Sequence, residues 1–190
     1  MIKAIIFDCF GVLLTDSIED IVHELKVTNP DKAKEIVRLV SLAGKGLIDA
    51  QASRLAVAKM LGMTIDEYIY KVRTGEVKNL PLLEYIKELK VGYKIGLLSN
   101  IISGGLEVRF TPNELSIFDT VVASGDIGYA KPEAQVYEIT ADRLGVSLEE
   151  CIMIDDRQDY CQGAIGVGMR AIQYKSFQQM KTDLENLINT

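Results

Sequence analysis

The chain has 190 residues, 48% of them hydrophobic and 25% charged, with 21 Lys+Arg against 27 Asp+Glu and a formal net charge of -6 at pH 7. Such a composition excludes disordered and fibrous classes, and the length suits one sizeable domain, or one domain carrying a smaller insertion, that buries roughly 70% of its unfolded surface. The acidic balance argues against binding nucleic acid through its phosphate backbone, which needs a dense basic surface.

In chain order, the first apolar run is Ala4-Ile5-Ile6-Phe7, stopped abruptly by Asp8. It is too short and too soon interrupted for a signal peptide, and no later stretch approaches the ~18 apolar residues of a membrane span. Residues 16–80 show no strand but several helical segments, punctuated by Asn29-Pro30, Gly44 to Gly46 and Gly62. Thr64-Ile65-Asp66-Glu67 is a capping-box pattern that starts the last of them. From Pro81 onward, helical and strand patterns alternate: Pro81 to Leu89, Lys94 to Leu98, Thr120 to Ala123, Glu133 to Leu144, Cys151 to Ile154 and Arg170 to Tyr174. This predicts an α/β fold, a doubly wound parallel Rossmann-like sheet with a small all-helical cap insertion. The core domain is expected over 1–15 and 81–190, and the helical cap over 16–80. Cys9, Cys151 and Cys161 are odd in number and lack metal spacing, so they are read as reduced thiols in a cytoplasmic protein, without structural zinc.

In an open parallel sheet, ligands bind beyond the carboxyl ends of the strands. Four clusters follow strands: Asp8-Cys9-Phe10-Gly11-Val12, Ser99-Asn100, Lys131-Pro132-Glu133 and Asp155-Asp156. Taken singly, each has a bland reading as a turn, a helix cap or a solvated charge. Together they gather a carboxylate, a hydroxyl, an amide, a cation and a carboxylate pair around one crevice, which folding alone does not require.

In sequence order, IIFDCFGVLL, GLLSN, GYAKPEAQVY and MIDD resemble the four motifs of the haloacid dehalogenase superfamily, across nearly the whole chain. The resemblance implies a phosphatase in which Asp8 attacks phosphorus to form an aspartyl-phosphate. It implies Mg²⁺ held by Asp8, the backbone carbonyl of Phe10 and Asp156, with Asp155 assisting, because a hard cation takes oxygen ligands. Ser99, the backbone of Asn100 and Lys131 would hold the phosphate, and Lys131 would also neutralise growing charge and orient Asp8. The expected partner is a small phosphorylated metabolite, a phosphate monoester or sugar phosphate, on a monomer or homodimer.

Phe10 departs from the pattern, since phosphatases of this superfamily usually carry a second Asp two places after the nucleophile as acid and base. Phe transfers no proton, and losing that help costs about 10² to 10⁴ in rate. The alternative is therefore a non-catalytic binding or regulatory protein that keeps the fold. The dehalogenase branch also lacks the second Asp and attacks carbon without a metal. The pair Asp155-Asp156 opposes it, because two carboxylates beside Asp8 would repel a haloacid anion unless a cation lay between them. A second departure is Tyr160, where related sequences often carry Asn. His23, the single histidine, falls opposite the apolar stripe Ile18, Ile21, Val22 and Leu25 and is read as exposed. Tyr68, Tyr70 and Tyr85 are read as packing residues flanking the cap.

Overall fold

The computed structural model describes residues 1–188. Its strands β1 (Ala4–Phe7), β2 (Lys94–Ser99), β3 (Thr120–Ala123), β4 (Cys151–Asp155) and β5 (Arg170–Gln173) pair in parallel in the order β3-β2-β1-β4-β5. Side chains alternate across the sheet, so β1 sends Ile5 and Phe7 to one face and Ala4 and Ile6 to the other. On the first face they meet Leu82, Ile86 and Leu89 of α5 (Leu80–Leu89) and Met180 and Leu184 of α10 (Phe177–Ile188). On the second they meet Val136, Tyr137 and Leu144 of α8 (Ala134–Leu144) and Ala164 of α9 (Gln158–Gly166). Both faces are thus covered by helices, as near-continuously apolar parallel strands require.

The chain runs outward from β1 through β2 to β3, then returns across the sheet to β4 and β5. This reversal opens a crevice at the carboxyl ends of β1 and β4, the usual position of a ligand in such sheets.

Four helices lie between β1 and α5: α1 (Ser17–Thr28), α2 (Pro30–Gly44), α3 (Ala50–Leu61) and α4 (Ile65–Gly75). Each starts on a side chain that accepts from its first turn, namely Asp16, Asn29, Asp49 and Thr64. The capping box forms, with Glu67 N–H donating to Thr64 Oγ1 at 3.2 Å and Thr64 N–H to Glu67 Oε2 at 2.7 Å. These helices bury a core of their own around Ile21, Val22, Ile36, Val57, Tyr68 and Val72, separate from the two sheet-face cores. Two four-residue helices complete the chain, α6 (Pro112–Leu115) and α7 (Ser124–Ile127). No described helix is long and apolar enough to cross a membrane.

The structure refines the expected boundaries. Ser99 and Asp155 are the last residues of their strands rather than the first beyond them, because both still pair, with Ala123 and Gln173 respectively. On α8 the buried stripe runs through Val136, Tyr137, Thr140, Ala141 and Leu144, which leaves Ile139 half-buried. Tyr68 and Tyr85 pack in cores as read, whereas Tyr70 is 72% exposed. Tyr68 and Val72 lie one helical turn apart on the inner face of α4, and Tyr70 between them turns outward. His23 is exposed.

Candidate active site

Asp8 follows β1 directly, and its backbone N–H donates to Ile154 O of β4 at 2.9 Å, which seats it at the crevice. The turn after it closes through Leu13 and Leu14 N–H, both donating to Cys9 O at 2.8 Å. Gly11 within this turn has φ 83°, and a Cβ there would collide with the Asp156 carboxylate. Glycine is therefore needed twice over, for the backbone conformation and for the close approach.

Lys131 links the strand ends. Its Nζ lies 2.7 Å from Asp8 Oδ1 and 2.6 Å from Asp155 Oδ2, and it donates to Leu98 O at 3.3 Å, so all three protons are engaged. Asp8 Oδ1 also accepts from Cys9 N–H at 2.6 Å, which leaves Oδ2 without a hydrogen bond among the described residues. Asp155 Oδ1 accepts from Arg157 N–H at 2.9 Å, so both its oxygens are occupied. Asp156 makes no ion pair among the described residues and borders the cavity. Ligand atoms of Asp8, Asp155 and Asp156 all lie within 4.8 Å of one another.

Three carboxylates against one ammonium leave an excess of negative charge, which bears on the protonation of each group. Burial pushes the Asp8 carboxyl well above the usual range; Lys131 opposes this and the charges of Asp155 and Asp156 reinforce it. Burial, then the charge of Asp155, pushes Asp156 up to about 6. Burial also works against the Lys131 charge, but Asp155 and Asp8 together hold its pKa above that of an ordinary lysine.

Asn100 is committed to holding Lys131 in place. Its Nδ2 donates to Lys131 O at 2.9 Å and its Oδ1 accepts from Lys131 N–H at 2.8 Å, leaving only its main chain for a ligand. The Ser99 hydroxyl is buried with no hydrogen-bond partner among the described residues. Such an orphan costs about 1–3 kcal/mol unless an acceptor arrives. Phe10, Tyr160 and Arg157 join Asp8, Asn100, Lys131 and Asp156 in lining a cavity of about 430 Å³ that extends under α1, α2 and α4. Ser99 and Asp155 lie behind this lining.

Tyr160 sits between two cations, with Lys131 Nζ 5.1 Å and the Arg157 guanidinium 4.4 Å from its ring centroid. Arg157 also pairs with Asp159 at 3.0 Å, which keeps Asp159 at the surface and away from the carboxylate cluster. The sequence reading missed Arg109 and Glu76. Arg109 stacks on Phe10 at 5.1 Å from the ring centroid and pairs with Glu76 at 2.5 Å. They stand 33 positions apart, one just past α4 and one in the loop after β2, so no spacing signal joins them.

The chemistry at these strand ends agrees with the comparisons. A family model described as haloacid dehalogenase-like hydrolase matches residues 2–168. A phosphatase of Mycobacterium tuberculosis is 35% identical over 82 residues, 42% of this chain and 38% of the relative. A sesquiterpene phosphatase of Aspergillus oryzae is 27% identical over 177 residues, 88% of this chain and 87% of the relative. The chain spans well under half the length of the first curated relatives it matches, from 18% to 38%. Among solved structures, a HAD family enzyme from Bacteroides thetaiotaomicron in complex with magnesium and inorganic phosphate has a TM-score of 0.74 at 21% identity, over 95% of this chain and 99% of that one. A 2-haloacid dehalogenase from Xanthobacter autotrophicus has a TM-score of 0.64 at 19% identity, over 98% and 83%, so the fold alone does not choose between attack at phosphorus and at carbon. The chain belongs to the haloacid dehalogenase-like hydrolases.

Proposed function

We propose that the protein is a Mg²⁺-dependent phosphatase that cleaves a small phosphate monoester through an aspartyl-phosphate on Asp8. The observation that carries this reading is the cluster of Asp8, Asp155 and Asp156 within 4.8 Å, whose one ion-pair partner among the described residues is Lys131. The donor set fits a hard divalent cation, and Asp156 stands uncommitted against the Gly11 backbone. Asp8, the Phe10 backbone carbonyl and Asp156 would hold the ion, with Asp155 behind them. Bound there, Mg²⁺ supplies the positive charge that lets an anionic nucleophile meet an anionic phosphate.

In the first step Asp8 Oδ2 forms a bond to phosphorus as the bond to the ester oxygen breaks, and the organic group leaves as an alkoxide. In the second, water attacks phosphorus, the acyl phosphate bond breaks, and Asp8 and inorganic phosphate are released. Lys131 holds Oδ1 so that Oδ2 faces the cavity, and its charge offsets what accumulates on the phosphoryl oxygens. The orphaned Ser99 hydroxyl and the Asn100 main chain are the donors assigned to those oxygens. Phe10 has no proton to give, so the alkoxide takes its proton from water and esters with good leaving groups are favoured.

Residues 16–80 act as a cap over a core domain of 1–15 and 81–190. The separate helical core supports this division; the polar ties that cross it include Ser124 Oγ to Gly44 O at 2.5 Å, Lys45 to Glu133 at 2.9 Å, Arg73 to Val108 O at 2.9 Å, Arg109 to Glu76 at 2.5 Å and Lys78 to Glu114 at 2.6 Å. Three buried free cysteines agree with a reducing, cytoplasmic setting.

The test is phosphate release from a panel of aryl, sugar and acyl phosphates, with Mg²⁺ and with chelator, for the natural protein and for Asp8→Asn. Metal-dependent release that disappears in the variant is the expected result. An unchanged rate in Asp8→Asn removes Asp8 as nucleophile, and silence of the folded natural protein across the panel favours a binding role.

A further inference from the structure

The cavity walls carry information about the organic half of the substrate. Beyond the carboxylates, the lining is dominated by aliphatic side chains from several elements, among them Val22, Val40, Ile69, Val72, Ile102 and Val108. At its rim three large apolar residues from separate elements stay exposed, Val37 at 43%, Ile69 at 37% and Val108 at 61%. Single exposed valines are ordinary, but three converging on one opening mark a surface that gains from being covered.

Most polar side chains of the same wall are already spent on the protein, the Tyr68 and Ser41 hydroxyls being left without a hydrogen bond among the described residues. Arg109 and Arg73 face Glu76, at 2.5 and 3.7 Å. Glu19 pairs with Lys26 at 2.7 Å, and Asp16 caps α1. The Ser53 hydroxyl donates to Leu39 O at 3.1 Å, and that of Ser124 to Gly44 O. The Ser17 hydroxyl lacks a partner but is sealed from solvent. Arg54 is the one cation of the wall without an ion pair among the described residues. A sugar's hydroxyls would lose water on entry and find few groups to replace it, whereas a hydrocarbon loses nothing and covers the exposed rim.

We infer that the substrate is a phosphate monoester of a predominantly hydrocarbon alcohol, its chain lying under α1, α2 and α4 with the phosphate at Asp8. This rests on the phosphatase reading given above, and the experiment separates the two. Octyl phosphate, glycerol phosphate and glucose 6-phosphate are all primary alkyl esters, so leaving-group chemistry is nearly matched and the body alone differs. In the presence of Mg²⁺, kcat/KM for octyl phosphate is expected to exceed both polar esters by at least about tenfold. Ile69→Asp and Val108→Asp, at the exposed rim where folding tolerates a charge, should each cut that ratio by about threefold or more, and Ile69→Leu should restore it. Arg54→Met should change the ratio less than threefold. Equal or reversed selectivity overturns the inference, as does a large loss in Arg54→Met, which would assign a second anionic group to the substrate. If none of these alkyl esters turns over and the aryl and acyl phosphates are untouched as well, the phosphatase reading fails; whenever the alkyl esters are silent, calorimetric titration with octyl phosphonate and methylphosphonate decides the present inference. Tighter binding of the octyl compound by at least about tenfold sustains it, and equal binding overturns it.

Discussion

At the strand-end pole of the cavity, charged groups are crowded within hydrogen-bonding distance, and Lys131 alone holds Asp8, Asp155 and Leu98 O. At the helix-lined pole, aliphatic side chains make up much of the wall, and of the charges there Arg109, Arg73 and Glu19 are paired, Asp16 caps α1 and Arg54 has no ion pair among the described residues. The first pole is fixed by the sheet: Asp8, Ser99 and Asp155 stand at the ends of adjacent strands, and a parallel ladder allows them little movement. The second is carried by helices with a separate core, tied to the rest by hydrogen bonds and ion pairs such as Arg109–Glu76 and Lys45–Glu133. On the proposed function, chemistry would then sit on the rigid element and recognition on the element that can change without disturbing it.

The sharpest way to break the charged pole is Lys131→Met. It leaves Asp8 and Asp155 buried and unpaired, a change that typically costs about 3–5 kcal/mol, so the melting temperature should drop by many degrees. Activity should fall about 10²- to 10³-fold, as when one donor is removed from a preorganised charge site. Mg²⁺ should recover more stability in the variant than in the natural protein, since it supplies the missing positive charge. Equal stabilisation by Mg²⁺ in both would show that the ion does not sit among these carboxylates.

Much of this pole was legible in the sequence, because buried parallel strands are short apolar runs that stop where the chemistry starts. Asp8 and the pairs Ser99-Asn100 and Asp155-Asp156 are the polar residues that follow such runs. What was not legible depends on contacts between distant segments. The commitment of the Asn100 amide to the Lys131 backbone spans 31 positions, and that of Arg109 to Glu76 spans 33. Nor does periodicity resolve which of two neighbouring apolar residues faces a core when the helix turns about 100° per residue; Tyr137, not Ile139, is the fully buried one on α8. The apolar wall escaped for the same reason, since Val40 of α2, Val72 of α4 and Val108 of the loop after β2 are brought together only by the fold.

A smaller effect is expected from pH. Asp156 titrates at about 6 in the folded protein, above the ordinary Asp value of about 3.9. A raised folded pKa means that the folded state binds the proton more tightly, so its contribution to stability is present below about pH 4 and is lost as pH rises through about 6. Without metal, Asp156→Asn should therefore gain melting temperature relative to the natural protein as pH goes from about 4 to 7. With saturating Mg²⁺ the gain should vanish or reverse, because the variant has lost a ligand. In the natural protein, Mg²⁺ affinity should weaken below about pH 6, where protons compete for Asp156. A pH-independent difference between the two proteins would mean that the Asp156 charge is not the strained one.

The smallest change sharpens the boundary between the poles, where Phe10 stands. Phe10→Asp introduces a carboxylate at the position that related phosphatases use for proton transfer, so turnover should rise more on alkyl esters than on acyl or aryl phosphates. The gain should be modest, at most about tenfold, against the 10² to 10⁴ that acid-base help gives where the site is built for it. Arg109 is the reason: its guanidinium lies 5.1 Å from the Phe10 ring centroid and would pair with a carboxylate placed there, holding it ionised and unable to donate. Arg109 is also bound to Glu76, so the new acid would compete with a buried ion pair that joins α4 to the loop after β2. Adding Arg109→Leu to Phe10→Asp should then release the proton and enlarge the gain on alkyl esters, at some cost in stability because Glu76 keeps only Arg73, at 3.7 Å, as a partner. If the double variant is no faster than Phe10→Asp on those esters, Arg109 is not what limits proton transfer at position 10.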